Sequence, residues 1–189
     1  MKRARALSTL LLLPVLALGA CSQSADEPSE PENTTSESSG HEGHDMQHPE
    51  DGGPPPEGIA EAAEPTYPVG AEVVLAADHM PGMEGAPATV SGAFDTTAYA
   101  VSYTPTTGGE PVTGHRWVVH EELADPGQAP LEDGTEVVLE AEHMSGMKGA
   151  EATIDYSTEE TVYMVDIDTE EMTMTNHKWV TESELRPAE

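Results

Sequence analysis

Basic residues are scarce in this chain, and cysteine is almost absent. Seven Lys and Arg stand against 36 Asp and Glu in 189 residues, a formal net charge of −29. Nucleic acid is excluded as a partner, because binding phosphates requires cationic side chains that displace their counterions. Electrostatic docking onto anionic lipid heads is excluded for the same reason. The single cysteine forbids a disulfide within the chain and leaves no CxxC zinc or redox pair. No nucleophile elbow, phosphate loop or recognisable acid–base pair is present, so the chain is not expected to be an enzyme. No helical periodicity of useful length occurs either.

The one long apolar run is Ala6 to Ala20, behind the basic head of Lys2, Arg3 and Arg5. It is too short for a permanent membrane span and suits the core of a signal peptide. It ends Leu18-Gly19-Ala20-Cys21, which resembles the bacterial lipobox. Residues 1–20 are therefore expected to be a lipoprotein signal peptide. Cys21 is the expected lipidation site, and acyl chains such as palmitate would anchor the chain to the extracytoplasmic face of the cell membrane. More than one acyl chain is needed for stable anchoring. Loss of the leader removes three of the seven basic residues and makes the mature chain still more acidic.

Residues 21–65 are rich in Ser, Glu, Pro and Thr and poor in large apolar side chains. Such a segment cannot offset the entropy of ordering and is expected to be a disordered tether. Within it lies HEGHDMQH, which carries His41, His44, Met46 and His48. Short His-rich tracts bind metal ions, with imidazole suited to divalent copper, nickel and zinc and thioether to cuprous copper.

The remainder is an internal duplication. VGAEVVLAADHMPGMEGAPATV returns as DGTEVVLEAEHMSGMKGAEATI, with Gly70, His79 and Met83 matching Gly134, His143 and Met147. Tyr99 and Val101 match Tyr163 and Val165 at the same spacing, whereas His115-Arg116-Trp117-Val118 matches His177-Lys178-Trp179-Val180 two residues closer. The slip falls in the TPTTGGE turn at Thr104 to Glu110, where a length change is tolerated. The repeats span 66–126 and 131–187. Strands are expected over Glu72–Ala76, Thr97–Tyr103 and His115–Val119, and over Glu136–Glu140, Thr161–Ile167 and Thr175–Val180. The fold class is all-β: a tandem duplication of a small SH3-like, KOW-like barrel of about 60 residues, with Trp117 and Trp179 as core anchors.

The paired motifs GAEVVLAADHMPGMEGA and GTEVVLEAEHMSGMKGA, with GHRWVVHEEL and NHKWVTESEL, resemble the YdhK family of bacterial lipoproteins. The resemblance covers residues 66 to 187. It implies a surface location and a tandem-repeat β fold, mainly in Gram-positive bacteria, and supplies no catalytic residue. Arg116 replaces the usual Lys in the first copy, and that copy has Glu110 and Val112 where the second has Met172 and Met174.

Two readings of the folded His and Met residues stand side by side. In the first, His79, Met80, Met83, His115, His143, Met144, Met147, Met172, Met174 and His177 are metal ligands, with copper the metal that a mixed imidazole–thioether set fits. In the second, the HMxxM turns are packing features and His115 and His177 bond turn carbonyls. The chain would then be a non-catalytic surface module holding a peptide or cell-wall polymer on Tyr99, Tyr103, Tyr163 and the two Trp residues. The ligand set carries one geometric condition. In a regular strand Met174 and His177 lie on opposite faces, so a bulge near Asn176 is required to bring them together.

Overall fold

The computed structural model describes residues 48–188. Cys21, His41, His44 and Met46 lie outside the described residues. Ten strands follow in chain order: β1 Ala60–Glu61, β2 Glu72–Leu75, β3 Pro87–Asp95, β4 Ala98–Tyr103, β5 Val112–Val119, β6 Glu136–Val138, β7 Glu151–Thr158, β8 Thr161–Asp168, β9 Thr173–Thr181 and β10 Leu185–Pro187. Short 3₁₀ turns occupy His120–Glu122 and Glu182–Glu184. The architecture is all-β and duplicated, as the pattern predicts. Neither sheet closes on itself: one runs β10-β2-β3-β8-β9 with β1 added to β3, the other β5-β4-β7-β6.

Both sheets draw on both repeats. β3 of the first repeat pairs with β8 of the second, and β4 of the first with β7 of the second. Chain links explain the exchange. Thr96-Thr97 joins β3 to β4, and Glu159-Glu160 joins β7 to β8. A two-residue hairpin needs left-handed residues, for which Gly and Asn are the usual choice. Thr and Glu resist that conformation, so the chain runs on into the other sheet. The four strand ends meet at this crossing, with Asp95 opposite Thr161 and Ala98 opposite Thr158. The sequence repeats are thus two copies of a pattern, and each folded half is assembled from a front portion of one and a back portion of the other.

The apolar core follows this division. One cluster joins Val73, Leu75 and Val90 to Tyr163, Val165 and Val180. Its counterpart joins Leu139, Met147 and Ile154 to Tyr99, Val101 and Val118. Between them Trp117 and Trp179 pack with Phe94, Val119, Val162 and Met164. Both indoles are core anchors, as expected.

Residues 48–65, read from composition as part of the tether, lie among the described residues and include β1. From His48 onward the chain is placed against the edge of β9, with Gly52 N–H donating to Thr175 O at 2.9 Å and Thr175 N–H to Glu50 O at 2.8 Å. Backbone groups make these bonds, which composition does not report. Lys178 Nζ adds one to Pro54 O at 2.6 Å, and Ile59 and Ala62 pack against the cores further along.

A single repeat lacks the strands of the other copy that pair with the second edges of β3 and β4, namely β8 and β7. Residues 66–126 expressed alone should lack monomeric β structure, or should form a dimer by strand exchange. Circular dichroism with size-exclusion chromatography checks this; a folded monomer contradicts the interleaved pairing.

Candidate functional site

Each repeat places one histidine on a strand through a bulge. Met174 pairs with Ile167 and His177 with Val165, so β9 carries one residue more than β8 between these points. Asn176 takes up the excess in a left-handed conformation, φ 50°. Asp166 Oδ1 holds it by accepting its N–H at 2.7 Å. β5 repeats the device: Val112 pairs with Tyr103 and His115 with Val101, around Gly114 at φ 63°. There Ser102 Oγ accepts the Gly114 N–H at 3.1 Å. Gly and Asn are the residues that adopt this backbone at least cost. The bulge required near Asn176 is present, and Met174 and His177 are both turned inward and buried.

The other two histidines come from the HM turns. His79 and His143 each donate Nε2–H to a carboxylate that the sequence reading passed over, Glu184 Oε1 at 2.6 Å and Glu122 Oε1 at 2.8 Å. The second oxygens accept the indole N–H groups: Trp117 Nε1 to Glu184 Oε2 and Trp179 Nε1 to Glu122 Oε2, each at 2.9 Å. Both Glu residues close a 3₁₀ turn by reaching back to a backbone N–H, that of Thr181 at 3.0 Å and Val119 at 3.2 Å. This is the reciprocal half of a capping box. A signal was available in the sequence, since Glu122 and Glu184 match at the spacing that aligns His115 with His177. Each carboxylate serves histidine and tryptophan from the other repeat.

The four rings form one cluster, joined by His48 from the N-terminal segment. His115 and His143 centroids are 6.1 Å apart, and His48 lies 6.5 Å from His115 and 5.7 Å from His177. His79 and His177 line the same cleft of about 230 Å³ as His48 and His115. One nitrogen on each of the four repeat histidines is buried without a hydrogen-bond partner among the described residues: Nδ1 of His79 and His143, Nε2 of His115 and His177. No turn carbonyl meets Nε2 of His115 or His177, against the packing expectation. Burial first, and then the neighbouring rings, push both down to about 3. They are therefore neutral near pH 7, with lone pairs free. Burial alone would raise the two carboxyls; the histidine, indole and backbone donors outweigh it and hold both below the usual carboxylate range.

Comparison with known proteins places the chain in a family. The chain matches the family described as "Protein of unknown function (DUF1541)" at residues 69–120 and 133–182. It belongs to that family. It is 48% identical over 182 residues to "Uncharacterized protein YdhK" of Bacillus subtilis strain 168, covering 95% of this chain and 87% of that protein. A 2.00 Å crystal structure of a DUF1541 family protein from the same organism has a TM-score of 0.70 at 52% identity, over 72% of this chain and 94% of that one. A second crystal structure of the YdhK protein gives 0.59 at 56% identity, over 62% and 97%.

The methionines of this DUF1541 chain divide. Met144 lines the cluster's clefts, and Tyr103 OH donates to its sulfur at 3.7 Å. Met174 lines the side holding His48, His143 and His177. Met80 and Met172 pack against the edge of the first core, while Met83 and Met147 are fully buried within the two cores. The aromatic residues offered as a polymer-binding face are interior: Tyr99, Tyr163 and Trp179 are 0% exposed, Tyr103 3% and Trp117 6%. These rings form no exposed face, because Tyr163 fills one core, Tyr99 and Tyr103 the other, and Trp117 and Trp179 the seam between them.

The strap bearing His48 fits closely. A Cβ on Gly52 would collide with the carbonyl oxygen of Asn176. Gly52→Val should lift the strap from β9. The expected result is faster amide hydrogen exchange at Thr175, whose N–H bonds to Glu50, with strand amides in β3 and β8 unchanged. Unaltered protection at Thr175 contradicts the fit.

Proposed function

We propose that this protein binds copper outside the cell, held at the membrane's outer face by lipid on Cys21. The ion would sit among His79, His115, His143 and His177, with His48 closing the cluster and Met144 and Met174 beside it. The observation that carries this reading is the set of four buried imidazole nitrogens without partners. An unsatisfied buried polar atom costs about 1–3 kcal/mol. Four in one place are hard to explain by packing, and an ion would satisfy them together.

Spacing supports the same reading. Two imidazoles on one ion, with nitrogens about 2.0–2.1 Å from the metal, hold their centroids on the order of 5–6 Å apart. The observed separations are 5.7, 6.1 and 6.5 Å. Among the described residues no three His, Cys, Asp or Glu side chains are already gathered around one point, so loading requires the rings to rotate inward. Imidazole accepts several transition metals, and the nearby thioethers favour copper over zinc. His41, His44 and Met46, outside the described residues, would contribute a second, weaker capture site.

The test is titration of the mature chain with cuprous ion against a competing chelator, and separately with cupric ion. Binding tighter than ~1 μM is expected, weakened at least tenfold by His115→Ala with His177→Ala and little changed by His41→Ala with His44→Ala. Weak binding of both ions, or equal affinity in the His115/His177 variant, would overturn the proposal.

A further inference from the structure

We infer that Glu122 and Glu184 are positioning residues, each fixing the ring tautomer of the other repeat's histidine so that Nδ1 is the ligating nitrogen. This rests on the metal-binding reading and adds which atom binds and what selects it. An ionised carboxylate only accepts hydrogen bonds. Glu184 Oε1 at 2.6 Å from His79 Nε2, and Glu122 Oε1 at 2.8 Å from His143 Nε2, therefore place the ring proton on Nε2. Nδ1 keeps its lone pair, and it is Nδ1 of these two rings that lies buried without a partner. A carboxylate behind a ligating imidazole sets tautomer and orientation and raises ligand basicity.

The carboxylates are themselves unable to turn. Glu184 Oε2 accepts from Trp117 Nε1 at 2.9 Å, from Thr181 N at 3.0 Å and from Thr181 Oγ1 at 3.3 Å. Glu122 Oε2 accepts from Trp179 Nε1 at 2.9 Å and Val119 N at 3.2 Å. This pinning makes the isosteric amide a sharp probe. In Glu→Gln the amide oxygen must take the Oε2 place, because only donors converge there. The NH₂ then faces histidine Nε2, which must accept. The ring proton moves to Nδ1, and the ligating lone pair is lost while shape and packing stay.

The experiment uses the full mature chain, metal-free and then with cuprous ion. Two-bond ¹H–¹⁵N correlation reads each imidazole directly. In the native protein His79 and His143 should carry the proton on Nε2 alone. Glu184→Gln should move it to Nδ1 at His79 only, and Glu122→Gln at His143 only. Copper affinity should fall about 10–100-fold in each variant. An Nδ1–H ring or an imidazolium at both positions of the native protein overturns the inference, as does a moved proton with unchanged affinity. If the native chain binds no copper, the proposed function fails, whereas the tautomer pattern still decides what the carboxylates do. Glu184→Gln, at the less buried of the two clamps, carries the test if Glu122→Gln does not fold.

Discussion

Two short links govern this structure. Thr96-Thr97 and Glu159-Glu160 cannot make the tight left-handed turn of a two-residue hairpin, and so each repeat feeds its later strands into the other's sheet. From that exchange follow the mixed cores, the seam filled by Trp117 and Trp179, and the meeting of β5 with β9. Histidines that are 62 residues apart in sequence thereby come within reach of a single His48. A duplication whose copies folded separately would have held two half-clusters.

The buried polar groups are organised around the same seam. Glu122 and Glu184 lie where an unpaired charge would be costly, and each is surrounded by donors from both repeats. Removing one partner from such a network leaves the other unsatisfied, so the pairs also lock the exchanged halves together. Among the described residues, the exceptions to this satisfaction are four imidazole nitrogens and Ser91 Oγ. On the proposed copper-binding reading, the imidazole lone pairs are left free for the ion at a cost in stability.

Much of the fold was legible. The duplication, the all-β class and the Trp anchors follow from repeated motifs and period-two patterning, and the bulge at Asn176 was required by simple face counting. β3 and β7 were harder to see, because PATVSGAFD and EATIDYST mix small and polar residues where each strand is covered on only part of its length. Strand exchange was hidden because hydrophobic pattern is the same whichever copy a strand joins. His79, His115, His143 and His177 were visible as candidates, but their convergence depends on that exchange. His48 looked like tether because its neighbours are held by backbone groups and a few polar side-chain bonds rather than by an apolar pattern. Met83 and Met147 share the HMxxM motif with Met80 and Met144, yet chain direction through the turn sends them into the core.

The central claim is that histidines from both repeats and the strap share one ion. X-ray absorption at the copper edge of the loaded mature chain tests it most directly. The account predicts an inner shell made mainly of nitrogen, with the outer-shell scattering of several imidazole rings. A shell of carboxylate oxygens, or of sulfur without imidazole scattering, would contradict it.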